Sequence, residues 1–130
     1  MSSTEAFVPV SRLVRRGPVT VEPTATLRQV CATLFREEVG VAIVIKDGEP
    51  IGLVSERDVV RALADDDADV DDSRAEDVMA FEVVSVPAQE DVTAAAARMI
   101  DGQIRHLLVT DGTRAVGVVS MRDVLESAMG

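Results

Sequence analysis

One nine-residue stretch occurs twice, and this duplication constrains the fold more than any other feature of the chain. Ile51-Gly52-Leu53-Val54-Ser55-Glu56-Arg57-Asp58-Val59 returns as Val116-Gly117-Val118-Val119-Ser120-Met121-Arg122-Asp123-Val124, an offset of 65 in a chain of 130 residues. In each copy a Val-rich apolar run leads into Ser-x-Arg-Asp and a second apolar pair. The run reads as a buried strand, and the Ser as the opening of a helix. Gly52 and Gly117, just inside those strands, admit close approach by another backbone or by a ligand. Each copy therefore presents a hydroxyl and a carboxylate together at a strand-to-helix junction, which is where function is expected.

The repeat extends outward without a gap. Val19-Thr20-Val21 falls on Val84-Ser85-Val86, and Val41-Ala42-Ile43-Val44 on His106-Leu107-Leu108-Val109. Leu27, Val30, Cys31, Leu34 and Phe35 fall on Val92, Ala95, Ala96, Met99 and Ile100. Each unit reads short strand, helix, strand, turn, strand, helix. Two copies of such a mixed unit make a duplicated supersecondary element rather than a solenoid. A half of this size would be marginal alone, so the halves are expected to pack as one globular unit.

The elements can be placed along the chain. Met1 to Val10 is an arm, polar and then apolar. Arg12, Arg15 and Arg16 form a basic turn, read as solvated, with one Arg reaching a ligand phosphate as the alternative. Thr24 or Thr26 caps a helix whose face Leu27, Val30, Cys31, Leu34 and Phe35 is continuous, with Cys31 a small buried hydrophobe. Val39 to Ile45 and Ile51 to Val54 are strands around an Asp47-Gly48 turn. Val59, Val60 and Leu63 give the next helix its buried face. In the second unit Val83 to Val86 is the short strand, and Gly102 ends the helix that follows. Ile104 to Thr110 and Val116 to Val119 are its paired strands. The acidic stretch Asp65 to Glu76 partly matches a calcium loop, but Val70 stands where the sharp turn needs Gly, so it reads as a solvated linker. The expected boundaries are 13–64 for the first motif, 65–77 for the linker and 78–129 for the second motif.

Charge and composition exclude several classes. The net charge of −10 argues against nucleic acid and anionic membranes, which bind proteins through Lys and Arg. With three Phe and no Trp or Tyr, a bound ring would lie against aliphatic walls. One Cys excludes an internal disulfide framework. No apolar run approaches a membrane span and no signal peptide is recognisable, so a cytoplasmic protein is expected. No nucleophile–base pair, metal-ligand cluster or glycine-rich phosphate loop is recognisable, so no enzyme, no metal and no catalytic cofactor is expected.

The motifs Gly52-Leu53-Val54-Ser55-Glu56-Arg57-Asp58 and Gly117-Val118-Val119-Ser120-Met121-Arg122-Asp123, with the strand Ile104 to Asp111, resemble a tandem pair of CBS motifs, a stand-alone Bateman module. The resemblance covers roughly Leu13 to Met129. It implies an α/β fold of two β-α-β-β-α motifs about a pseudo-twofold axis, flat homodimers formed through helices, and an adenosine ligand such as AMP, ATP or S-adenosylmethionine in the cleft between the motifs. In this family the Asp accepts from the ribose hydroxyls and the Ser helps to hold ribose or phosphate. Carried over, Asp58, Ser55 and Val19-Thr20-Val21 form one half-site, and Asp123, Ser120 and Val84-Ser85-Val86 the other. Arg105 and His106 are the first candidates for phosphate contact, with Arg57 and Arg122 behind them, partly across to the opposite motif. Because Gly40 and Val41 replace Arg105 and His106 in the first unit, the two sites should not be equivalent. The expected role is ligand sensing read by a regulated partner protein. Ser-x-x-Asp also has a purely structural use as a shortened capping box. The alternative is therefore a dimerisation or protein-interaction module with no small-molecule ligand.

Overall fold

A computed structural model describes residues 7–129 of the chain, so the first six residues of the expected N-terminal arm lie outside it. The fold is α/β and divides into two units, Val19–Val83 and a second in which residues 7–18 join residues 84–129. Each unit has its own three-stranded sheet.

In the first unit the elements are β1 (Thr20–Val21), α1 (Leu27–Glu37), β2 (Val41–Lys46), β3 (Glu49–Ser55), α2 (Glu56–Asp65) and α3 (Ala75–Val78). Strand β2 is central, parallel to β1 and antiparallel to β3. Its consecutive buried residues Ala42, Ile43 and Val44 suit an inner strand. Asp47 and Gly48, both at positive φ, make the two-residue hairpin turn that follows. Val21, Val30, Leu34, Ala42, Val44, Val54, Val59 and Ala75 form the core.

The second unit repeats this plan with β4 (Ser85–Pro87), α4 (Val92–Gly102), β5 (His106–Asp111), β6 (Arg114–Ser120) and α5 (Met121–Met129). Its core joins Val86, Val92, Ala95, Met99, Leu107, Val109, Val119 and Val124 with Val10, which lies in a 3-10 helix, Val10–Leu13.

Each unit is thus completed by the segment that precedes the other unit's first strand, and the two leaders are themselves repeats. Ala75 N–H donates to Ala25 O (2.8 Å), and its counterpart Val10 N–H to Glu90 O (2.7 Å). Leu27 N–H donates to Ser73 O, and Val92 N–H to Val8 O, so a leader carbonyl satisfies an orphan amide at the start of each major helix. The repeat therefore begins near Val8 and Ser73, earlier than the alignment from Val19 indicates.

The structure departs from the expected packing in three places. The buried stripe of α1 is only Leu27, Val30 and Leu34, whereas Cys31 is exposed and Phe35 is 85% exposed. Those two sit about 40° and 80° around the helix from Leu27, past the edge that the sheet covers. Ile100 on α4, and Val60 and Leu63 on α2, are exposed in the same way, with Ala62 buried beside Val59 instead. Gly102 is the last helical residue, and the left-handed cap falls on Gln103 (φ 53°), as it falls on Glu38 (φ 56°) in α1. The acidic side chains between Asp65 and Glu76 are exposed, and the stretch also makes specific contacts with α1. Val70 and Ser73 carbonyls cap α1, Asp71 takes Arg28 in two hydrogen bonds (2.6 and 3.0 Å), and Asp69 accepts from Asp71 N–H.

Candidate functional site

Register decides what meets at the junctions. Val41 pairs with Ser55 at the start of β2 and the end of β3, while Thr20 pairs with Ile43 on the parallel side. The N-terminal ends of β1 and β2, the C-terminal end of β3 and the N-terminus of α2 therefore lie along one edge of the sheet. Val19, Thr20, Gly40, Val41, Ser55 and Asp58 are gathered there. In the second unit His106 pairs with Ser120 and Ser85 with Leu108, and Arg105 O accepts from Met121 N–H (2.8 Å). Val84, Ser85, Arg105, His106, Ser120 and Asp123 are gathered in the same way.

Thr26 proves to be the cap of α1, in a capping box with Gln29. At α2, Ser55 is the cap: Asp58 N–H donates to Ser55 Oγ (3.2 Å), and Asp58 Oδ2 accepts from Ser55 N–H (2.8 Å) and Ser55 O–H (2.9 Å). At α5, Asp123 N–H donates to Ser120 Oγ (3.1 Å) and Asp123 Oδ2 accepts from Ser120 N–H (2.7 Å). Both acids are largely covered, with side chains 14% and 20% exposed. Each therefore spends one oxygen on the cap and keeps the other, Oδ1, for something else.

The remaining candidates are less closely placed. Val21 and Val86 are buried in the cores of their units. Thr20 and Ser85 are exposed on their strands, and Ser85 O accepts from Arg98 (3.0 Å). Arg57, Arg105 and Arg122 are exposed, while His106 is partly buried.

Two groups beside the acids were not evident from the motif. Arg61, one turn along α2, places Nη1 3.5 Å from Asp58 Oδ1. In the second unit Arg15 pairs with Glu126 and lies 3.7 Å from Asp123 Oδ1, so this member of the basic turn is not merely solvated. The i, i+3 spacing of Asp58 and Arg61 is a signal readable in the sequence. Nothing local connects Arg15 to Asp123.

Gly52 and Gly117 serve close backbone approach. A Cβ at Gly52 would run into Met79 Sδ and come within 3.0 Å of Ala80 O, and one at Gly117 would lie 2.6 Å from Val14 Cγ1 and 3.2 Å from Arg16 O. Leu53 and Ala80 exchange backbone hydrogen bonds of 3.0 and 2.8 Å across this contact. The glycines let the exchanged leaders lie on the sheets.

The family model for the CBS domain matches residues 10–65 and 75–130, both repeats together with their leaders. The chain belongs to the CBS domain family. A CBS domain protein from Pyrobaculum aerophilum, solved complexed with AMP, is 32% identical, with TM-score 0.79 over 95% of this chain and all (100%) of that one. A CBS-domain containing protein from Agrobacterium tumefaciens is 27% identical, with TM-score 0.82 over 93% of this chain and 99% of that one. Among curated relatives, an uncharacterized protein of Methanopyrus kandleri is 31% identical over 92% of this CBS pair, which spans 62% of that relative's length. No helix among the described residues is long and apolar enough to cross a membrane.

Proposed function

We propose that this CBS pair is a regulatory module that binds an adenosine-type small molecule, of the AMP, ATP or S-adenosylmethionine class, and passes the bound state to a partner protein. The observation that carries this reading is the division of each carboxylate. Oδ2 of Asp58 and of Asp123 is committed to its helix cap, while Oδ1 takes no part in the cap and lies in an ion pair with a guanidinium at 3.5 or 3.7 Å. A carboxylate oxygen that the cap does not use has lone pairs to accept from a ribose hydroxyl, and a charge-assisted hydrogen bond to it is worth about 1.5–3 kcal/mol. The AMP complex of the Pyrobaculum aerophilum relative supports the same ligand class. A thermal-shift panel of adenosine, AMP, ATP and S-adenosylmethionine tests it. Ligand at a hundred times its dissociation constant adds about 2.7 kcal/mol, and no shift with any of the four would reject the reading.

A second reading rests on the completeness of the caps, which need no ligand to form. On that reading the chain is a dimerisation or interaction module. Both readings share a homodimer, supported by the apolar residues left exposed on the helices: Phe35 (85%), Val60 (64%), Ile100 (71%) and Leu125 (57%).

A further inference from the structure

The two junctions have the same capping geometry, but their carboxylates are neutralised from different parts of the chain. For Asp58 the cation is Arg61, three residues along the same helix, with Nη1 3.5 Å from Oδ1. The repeat counterpart of Arg61 is Glu126, so the same position beside Asp123 carries a second negative charge. Like charges at this spacing on one helix face repel. Arg15 provides the compensating cation. Its guanidinium pairs with Glu126 and lies 3.7 Å from Asp123 Oδ1. It is brought there by its leader. Val10 is fully buried in the core, Ser11 N–H donates to Ala88 O (3.0 Å), and Val14 crosses Gly117. The repeat counterpart of Arg15 is Ala80, which carries no charge. The helix supplies the cation at the first junction, and the leader supplies it at the second.

We propose that Arg15 is a positioning residue for the Asp123 junction alone. It offsets Glu126 and holds Asp123 Oδ1 available to a ribose hydroxyl, the part that Arg61 plays for Asp58. This inference rests on the adenosine reading above. It makes occupancy at Asp123 depend on the docking of residues 8–16, whereas the Asp58 junction carries its own cation.

The test is a titration of the full, 15N-labelled chain with adenosine. The amides of Ser55 and Ser120, which donate to Asp58 and Asp123, report the two junctions separately. Adenosine carries no phosphate, so it isolates the carboxylate's part. Arg15→Ala should weaken binding reported by Ser120 about threefold to fivefold, the scale of a partly exposed ion pair, and leave binding reported by Ser55 unchanged. Adding Glu126→Arg should restore the Ser120 site by rebuilding the Asp58–Arg61 arrangement, which a merely structural role for Arg15 does not predict. Arg61→Ala should produce the mirror pattern. The Arg15 side chain is 71% exposed, and thermal unfolding checks that its variant stays folded. Four results overturn the inference: no change at Ser120, equal weakening at both amides, no restoration by Glu126→Arg, or a loss seen with AMP but not with adenosine. Absence of wild-type binding at both amides overturns the adenosine reading and this inference with it, whereas the other four leave that reading standing.

Discussion

Asp58 accepts two hydrogen bonds from Ser55 on a single oxygen, Oδ2, at 2.8 Å from the backbone N–H and 2.9 Å from the hydroxyl. That economy lets one side chain close a helix cap and still offer a charged acceptor beyond it. Capping and ligand binding thus draw on different atoms of the same residue, and substitutions can separate them.

Asp58→Asn and Asp123→Asn keep an oxygen that accepts the Ser amide while removing the charge from the other position. Each should reduce adenosine-ligand affinity at its own junction at least tenfold, about 1.4 kcal/mol. Unfolding midpoints should change far less. Calorimetric titration beside urea unfolding of the same variants measures both. Loss of stability without loss of affinity would favour the capping-only reading.

Ser55→Ala and Ser120→Ala remove the cap acceptors themselves. Each should cost about 1 kcal/mol of stability, typical for a lost N-cap. Equilibrium urea unfolding measures that cost, and additive losses in the double variant would fit two independent caps.

Gly52→Ala and Gly117→Ala force a Cβ into the leader that crosses each sheet. The nearest atoms include the backbone oxygens of Ala80 (3.0 Å) and Arg16 (3.2 Å), which cannot move aside as a side chain can. A loss of about 1–3 kcal/mol is expected, the usual cost of overpacking. Hydrogen exchange at Leu53 and Ala80, whose amides pair across the Gly52 contact, should accelerate in Gly52→Ala. Unchanged protection there would mean that the leader does not need the glycine.

Asp91 is held below the usual carboxylate range, first by the hydroxyl of Thr93 and then by the N–H of Val8, against a smaller opposing effect of burial. A carboxyl depressed in the folded state adds stability that is present above its unfolded value and is lost as pH falls through the folded value. Acidification below the ordinary carboxylate range should therefore loosen Val8 and the 3-10 helix behind it. Amide exchange of Val8 and Val10 across that range measures the loosening. Asp91→Asn should make it independent of pH, and a persisting dependence would assign it to another group.

The exposed helix residues set the expectation for assembly. Wild type should sediment as a homodimer at tens of micromolar, and Phe35→Glu with Leu125→Glu should give a folded monomer. A wild-type monomer, with or without nucleotide, would remove the homodimer from both functional readings.

The sequence by itself determined the duplication, the strand-helix-strand-strand-helix order of each repeat, and the Ser-x-x-Asp caps. All of these rest on local chemistry: a Val-rich run, a Ser at a helix start, and an Asp three residues on. Tertiary structure alone decided which core each leader joins, because Val10 and Ala75 look alike as short apolar signals, yet Val10 joins the core of the β4–β6 sheet and Ala75 that of the β1–β3 sheet. It also decided that Cys31, Phe35 and Ile100 remain exposed, since periodicity marks an apolar arc but not how much of that arc a sheet covers. The cation beside Asp123 was the least legible feature. Arg15 and Glu126 stand 111 residues apart in the chain, and no spacing rule reaches that far. Only the leader's path across Gly117 brings the guanidinium to the carboxylate.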